Sequence, residues 1–441
     1  MDETLTPPES GSVAARSAPA AKEPHQDGAT GKDLDRGGRN TAVLVSFTAI
    51  TNLADGVTKV VLPLMATRLT DSPAQVAGVG LTLTLPWLLV ALHVGVLVDR
   101  FDRRLLLWLA DGARMAVVGA LLFLSVSDAV TIPALYAAGL ALGVAEVVAL
   151  TSAATLVPTA VPRAGQERAN AWVAGAETAC NEFCGPFVGG LLVAAGASIA
   201  LGWTGVGYLI GTVILIFLAG RFKPQRDDAK PVGSVNQRIA EGVRFLWQHR
   251  LLRLMALSLT VLSACWGAWL ALIPLIATDR MGLDARGYGI LLSALGAGGM
   301  LGALTVTSIN RVLGRRWSMF ADLLGTAAMV ATPVLSTNLW VVASGAFLGG
   351  MGGILWTVNS RTISQRLVDD GMLGRYNAAA RLFSWGAMPV GAGLVGVLAE
   401  WFGIRVAFTV FTLATMAIIV PFLRTVTPKA LAEVDRRAVQ N

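Results

Sequence analysis

A chain of 441 residues with 54% hydrophobic and only 14% charged residues, at a mean hydropathy of +0.62, is not an ordinary soluble globular domain. Its net charge of +7 would suggest a nucleic-acid partner in a soluble protein. Here the basic residues fall in short loops between apolar runs, where they mark membrane topology instead, and no nucleic acid is expected.

Residues 1–40 are polar, rich in Pro, Ser and Gly, and read as a disordered cytoplasmic tail. They lack the n-region and h-region of a cleaved signal, so the first apolar run serves as the anchor. Twelve apolar runs come next, each near the ~20 residues that a bilayer demands. They cover 41–66, 74–98, 104–126, 131–158, 168–194 and 198–220, then 251–278, 287–310, 315–335, 338–364, 375–400 and 403–425. The segment 41–220 is thus an N-terminal six-helix half, 251–425 a C-terminal one, and 426–441 a second cytoplasmic tail.

The loop 221–250 divides the halves. Within it Val235, Ile239, Val243 and Leu246 or Trp247 recur at helical spacing, with Arg238, Glu241 and Arg244 between them. That pattern describes an amphipathic helix lying in the interface. It also describes a calmodulin target, but a linker helix is the simpler reading.

Arg and Lys are concentrated in alternate loops, among them Arg100, Arg103 and Arg104, then Arg163 and Arg168, then Arg311, Arg315 and Arg316. The intervening loops are poor in base. The basic set is therefore expected in the cytoplasm, with both termini, in a multi-pass protein of the cell membrane. Short matches recur between the halves. Leu62-Pro63-Leu64-Met65-Ala66-Thr67 parallels Ile273-Pro274-Leu275-Ile276-Ala277-Thr278, Ala110-Asp111 parallels Ala321-Asp322, and Arg168-Ala169-Asn170-Ala171 parallels Arg375-Tyr376-Asn377-Ala378. Three matches at offsets of about 207 to 211 residues argue for duplication, with a substrate path between the halves.

The segment carrying Gly95, Asp99, Arg100, Arg103 and Arg104 resembles the signature loop between the second and third helices of the major facilitator superfamily, with Asp102 where that family usually has Gly. Together with Glu241-Gly242-Val243-Arg244-Phe245-Leu246-Trp247, it resembles the subgroup of enterobactin-type siderophore exporters and macrolide or multidrug efflux proteins. Run five holds Cys184-Gly185-Pro186-Phe187-Val188-Gly189-Gly190, similar to the antiporter signature of drug exporters, with Asn181 where a Gly is usual. The resemblance implies an all-α integral membrane protein with twelve transmembrane helices in two six-helix pseudo-symmetric halves, the major facilitator fold. It also implies that Asp99 forms a conformational latch with basic partners and the N-terminus of run eleven. In physical terms Gly185 and Pro186 kink their helix, while Gly189 and Gly190 admit a close neighbour. The Arg often seen in run four of proton-coupled members is absent from Leu140-Ala141-Leu142-Gly143-Val144-Ala145-Glu146.

Asp55, Glu146 and Glu182 each stand about 14 or 15 residues into their runs, near the membrane midplane, and Glu177 lies nearer the cytoplasm. Ionisable groups at that depth are costly, which makes these four candidates for proton coupling or for meeting a cationic substrate. Asp55 could instead pair with Lys59, one turn on. Runs seven and ten carry no midplane acid, and Trp266, Trp269, Trp356 and Trp385 are candidates for an aromatic pocket wall, or else core fillers. Asp111 and Arg114, with Asp322 mirroring Asp111, read as structural groups tied to the loop arginines.

The three cysteines lie in apolar runs and histidine is scarce, so neither metal nor cofactor is expected. No Walker sequence is present and no nucleophile–base set appears, so the chain is not read as an enzyme. The expectation is a monomeric secondary exporter of amphipathic small molecules, such as a drug, antibiotic or siderophore, driven by protons across the lipid bilayer. An importer of the same fold and a non-transporting membrane sensor or scaffold remain open.

Overall fold

The computed structural model describes residues 31–98, 100–220 and 235–440, and all regular structure among them is helical. The first part of the chain forms α1 (Gly31–Thr67), α2 (Pro73–Leu89), α3 (Ala91–Val98), α4 (Arg103–Val126) and α5 (Ile132–Ala160). Then come α6 (Arg163–Glu177), α7 (Gly185–Ala195) and α8 (Ala197–Ile214), with a π-helical turn, Thr178–Cys184, between α6 and α7. The second part comprises α9 (Val235–Gln248), α10 (Arg250–Leu275), α11 (Ala285–Leu335), α12 (Leu339–Leu367), α13 (Asp370–Ser384), α14 (Ala387–Thr425) and α15 (Pro428–Gln440). Eight helical stretches are long and apolar enough to cross a membrane, so this is a multi-pass membrane protein.

Two helices are longer than any bilayer requires, because each doubles back at a glycine. Straight, the 51 residues of α11 would extend about 77 Å. Yet Arg280, just before α11, donates from Nη1 to the carbonyl of Pro333 near its far end at 3.2 Å. The reversal is at Gly314, whose φ of 77° and ψ of 158° suit only a residue without Cβ. In α14 the turn is Gly403, at φ 83° and ψ 156°. Gly391 on one arm abuts Ala264, and Thr415 Oγ1 on the other lies 3.2 Å from Cys265 Sγ. The expected interruptions at 310–315 and 400–403 therefore appear as tight turns inside continuous helical stretches.

The ends of the chain are more structured than a reading as tails allows. Residues 31–40 already belong to α1. Asn40 is buried there, donating from Nδ2 to the carbonyls of Ala160 at 2.9 Å and Ala219 at 3.0 Å. Residues 426–441 were expected as a tail, but α15 lays Leu431 and Val434 against the side chains of Ile363, Phe422 and Val426. The amphipathic helix expected near 235–247 is present as α9, which docks on α13 through Glu241 and Arg375 at 2.9 Å. The rest of the expected linker and residues 1–30 lie outside the described residues.

The core is continuous at one end of the molecule and divided at the other. Its largest cluster joins residues such as Val60, Ala77 and Leu201 to Trp269, Leu291 and Val395. Helix α2 packs against α10 and α14 here, where Gly80 would put a Cβ 3.2 Å from Ala271 Cα and Gly396 would put one 2.8 Å from Ala77 Cβ. Ser72 Oγ donates to Glu400 at 2.8 Å at the extreme of this end. At the opposite end, which carries Arg100, Arg103 and Arg104, the apolar contacts separate. One cluster gathers Leu44, Leu107, Leu156 and Leu215, and another gathers Met255, Met319, Trp356 and Phe422.

Candidate functional site

The charged residues of the early helices converge on α1. Asn52, Asp55 and Lys59 recur at helical spacing, so one face of α1 presents all three. Asp55 is 7% exposed and accepts from Arg114 of α4 at 3.1 Å and from the hydroxyl of Tyr208 of α8 at 2.7 Å. Arg114 also pairs with Asp111, one turn before it on α4, at 3.1 Å. The Arg114 guanidinium lies 5.3 Å from the centre of the Tyr208 ring. A buried acid–arginine–acid set thereby ties α1 to α4, and Tyr208 adds α8 to it, while Asp111 Oδ2 and Arg114 Nε are left without a hydrogen-bond partner among the described residues.

This corrects two expectations. Asp55 does not pair with Lys59, and Asp111 and Arg114 are not tied to the loop arginines. Lys59 turns the other way and meets Glu182 at 2.8 Å, with both side chains partly accessible. Glu146 is half-buried on α5 and within electrostatic reach of Lys59, Asp55, Arg114 and Glu182.

The π-helical turn positions Glu182. A π turn adds a residue to one helical turn and so rotates the helix beyond it. The Gly185 amide reaches back to the carbonyl of Cys180, and Pro186 has no amide to give to Glu182. The wide turn brings Asn181 to face α1, where its Nδ2 donates to Asn52 Oδ1 at 2.9 Å. The glycines beyond it face two neighbours. A Cβ on Gly185 would lie 2.7 Å from Gly56 Cα, and one on Gly189 would lie 3.1 Å from Val57 Cα, both on α1. One on Gly190 would lie 3.0 Å from Gly289 Cα on α11. The kink motif therefore packs between α1 and α11, where Ser293 Oγ donates to the carbonyl of Phe183 at 3.0 Å.

Beside the acid–arginine set is a cavity of about 240 Å³. Asn52, Asp55, Arg114, Asn170 and Glu177 give it a polar wall, and Phe47 and Val157 an apolar one. Of the four expected acids, Asp55 and Glu177 share this cavity, while Glu182 is paired on the other side with Lys59.

The aromatic wall is only partly realised. Trp269 and Trp356 are 0% and 1% exposed and packed in the core, each with an indole N–H that finds no hydrogen-bond partner among the described residues. Trp266 packs beside Gly353 of α12. Trp385 is half-exposed and stacks on Trp87 of α2 at 4.8 Å between ring centres.

In the loop between α3 and α4, Asp99 lies outside the described residues. Arg103 donates to the carbonyl of Thr155 at 3.1 Å, and Arg104 to those of Leu218 and Ile216 at 3.2 and 3.1 Å. Arg100 is exposed, and a Cβ on Gly95 would meet nothing within 4 Å. Asp102, unusual for the loop, caps α4 by accepting from the amides of Arg104 at 2.9 Å and Leu105 at 3.4 Å.

A family model described as transmembrane secretion effector matches residues 40–440. The chain belongs to this family of the major facilitator superfamily. Its relatives include the multidrug efflux pump Tap of Mycobacterium tuberculosis (strain ATCC 25618 / H37Rv), 29% identical over 418 residues, covering 90% of this chain and 97% of Tap. The enterobactin exporter EntS of Escherichia coli O1:K1 / APEC is 27% identical over 361 residues, covering 80% of this chain and 83% of EntS. Among solved structures, a mutant form of the nucleoside transporter NupG has the same fold, with a TM-score of 0.69 at 10% identity over 88% of this chain and all of NupG. A bacterial homologue of the iron transporter ferroportin, in its inward-facing state, gives 0.65 at 16% identity over 87% and 98% of the two chains.

Three residues of the candidate site are not distinguished as site residues by sequence alone. Arg114 reads from sequence as a structural group tied to the loop arginines, whereas it stands midway along α4 and its side chain reaches Asp55 on α1. Tyr208 has no charge to make it conspicuous in an apolar run. Lys59 is conspicuous only as a neighbour of Asp55.

Proposed function

We propose that this family member is a secondary active exporter of amphipathic small molecules that takes up protons in exchange, by alternating access of two six-helix halves. Dividing α11 at Gly314 and α14 at Gly403, and joining α2 to α3, α6 to α7 and α13 to the first arm of α14, supports six spans before residue 221 and six after 249. The positive-inside rule assigns the arginine-bearing end and both termini to the cytoplasm. In that orientation the halves meet on the outer side and part on the inner side. The names of Tap and EntS, an efflux pump and an exporter, support outward transport.

The observation that carries the reading is Arg114 held between Asp55 and Asp111 in a buried site. With both carboxylates ionised the set has one net negative charge, and one bound proton makes it neutral. A proton on Asp55 weakens its hold on Arg114 and Tyr208, and so loosens α1 from α4 and α8. Because Gly56 of α1 packs on Gly185, and Gly190 packs on Gly289, that movement passes directly to the contact between the halves. Glu182 and Lys59 near the outer seal, then Glu146, then Asp55 and Glu177, form the route by which a proton enters outside and leaves inside. The cavity beside Asp55 and Glu177 places substrate against the same carboxylates, which couples the two movements.

The test is efflux of a fluorescent amphipathic cation from vesicles under an imposed pH gradient. Asp55→Asn should abolish gradient-driven efflux while the protein remains in the membrane. Wild-type efflux by that variant would remove Asp55 from the mechanism, and influx under the same gradient would establish the importer instead.

A further inference from the structure

A second cavity, of about 370 Å³, opens at the arginine-bearing end of the molecule and has no part in the transport reading. It is formed where α10 begins, α12 and α14 end, and α15 crosses them. Arg250 and Arg424 supply its positive side, with His249 beside them, and Leu367 and Val434 form part of its apolar side. Among the described residues neither Arg250 nor Arg424 has a hydrogen-bonded or ion-paired partner. Glu433 also lines the cavity, and its carboxylate is held by Arg436 at 2.8 Å. Two uncompensated guanidiniums converging on one cavity, with the hydroxyls of Thr425 and Thr427 beside them, suit a phosphate group.

The surface leading away from the cavity identifies the kind of phosphate. Leu257 lies seven residues beyond Arg250, on the same face of α10, and is 42% exposed. Val420, Met416 and Leu413 run back from Arg424 along one face of α14 and are 52%, 46% and 62% exposed. Arg424 thus stands at the end of a bare apolar stripe on α14 that points into the membrane, and Leu257 is the one exposed apolar side chain beyond Arg250 on α10. A free phosphate would use the cavity and leave this apolar surface unused. A phospholipid uses both, with its headgroup at the interface and its acyl chains along α14 and past Leu257.

We propose that this cavity binds the phosphate of an anionic phospholipid, and that the bound lipid fastens α15 to the ends of α10, α12 and α14. Helix α15 already buries Val434 there, so the headgroup closes a site that is partly built.

The test uses the purified full chain in detergent and measures retained lipid by native mass spectrometry. The probes are phosphatidylglycerol, phosphatidylcholine and inorganic phosphate. Wild type is expected to retain phosphatidylglycerol in preference to phosphatidylcholine, and equimolar inorganic phosphate is expected not to displace it. Arg250→Gln combined with Arg424→Gln should weaken retention about 30-fold, as the loss of two interfacial charges implies. Arg250→Lys combined with Arg424→Lys keeps both charges and should retain most of the binding, and Arg311→Gln, elsewhere at the same end, should bind as wild type. Undiminished retention by the glutamine variant, equal retention of the two lipids, or displacement by inorganic phosphate would each overturn the assignment. So would a loss in the lysine variant as deep as in the glutamine variant.

Discussion

Asp55 and Arg114 meet at 3.1 Å across α1 and α4, with only 7% and 2% of their surfaces exposed. They lie 59 positions apart in sequence, and Asp55 pairs with this distant arginine rather than with Lys59 one turn on. Arg114 is the sole described cation in contact with two buried carboxylates, so its removal is the most disruptive single change in the site. Arg114→Met should destabilise the protein by about 3–5 kcal/mol, because uncompensated carboxylates stay behind. Adding Asp55→Asn and Asp111→Asn to that variant should recover a large part of the loss. Thermal unfolding of the purified variants in detergent measures both effects. A single variant as stable as wild type would mean that the pair does not hold α1 to α4.

Tyr208 gives the same site a neutral anchor, its hydroxyl donating to Asp55 at 2.7 Å. Tyr208→Phe removes one hydrogen bond to a charged group and should cost about 1.5–3 kcal/mol. It should also shift the pH profile of efflux, because Asp55 loses one of its two partners. An unchanged profile with normal stability would dissociate Tyr208 from proton exchange.

Gly56 and Gly185 hold the backbones of α1 and the π-helical segment in close approach. A Cβ on Gly56 would lie 2.7 Å from the carbonyl oxygen of Asn181 and 2.8 Å from Gly185 Cα. Gly56→Val should therefore separate α1 from the π-helical segment and cost about 1–3 kcal/mol or more. Gly112 on α4 has nothing within 4 Å of its Cβ position, and Gly112→Ala should be neutral or stabilise by up to about 1 kcal/mol. Melting temperatures that move in opposite directions for the two variants would bear this out.

Asp102 performs a local task at the position where related loops usually have Gly. Asp102→Ala should cost about 1 kcal/mol through the lost cap of α4, and Asp102→Gly only a few tenths. Chemical unfolding would resolve the difference, and equal losses would exclude capping as the cause.

Glu400 accepts from Ser72 Oγ at 2.8 Å and from the amide of Ala74 at 3.2 Å, joining α14 to the first turn of α2 at the closed end. The site is exposed, so Glu400→Ala should weaken the seal by about 1 kcal/mol, or about fivefold in the ratio of closed to open. Distances between spin labels on the loops 68–72 and 336–338 should show more of the wide population in the variant. An identical distribution would place the seal in the apolar contacts alone.

Much of the architecture is legible in the sequence because lipid imposes simple rules. A span needs some twenty apolar residues, all backbone groups must be paired within helices, and arginine is concentrated in the loops of one side. Those rules act along the chain and recover its all-helical, multi-pass character and the amphipathic α9. They do not recover the docking of α15 or the helical start at Gly31, because short polar stretches become ordered only through contacts with distant helices. The pairing of charges was illegible for a related reason. Asp55 is one turn from Lys59, and sequence spacing favours that pair. The tertiary structure instead rotates α1 so that Asp55 faces Arg114 and Tyr208 while Lys59 faces Glu182. Sequence alone determined that this is a multi-pass helical membrane protein and marked Asp55, Glu146, Glu177 and Glu182 as candidates, since burying charge in lipid needs a reason wherever it occurs. Which acid meets which base was decided only by helix packing, since the orientation of each helix depends on neighbours far away in the chain.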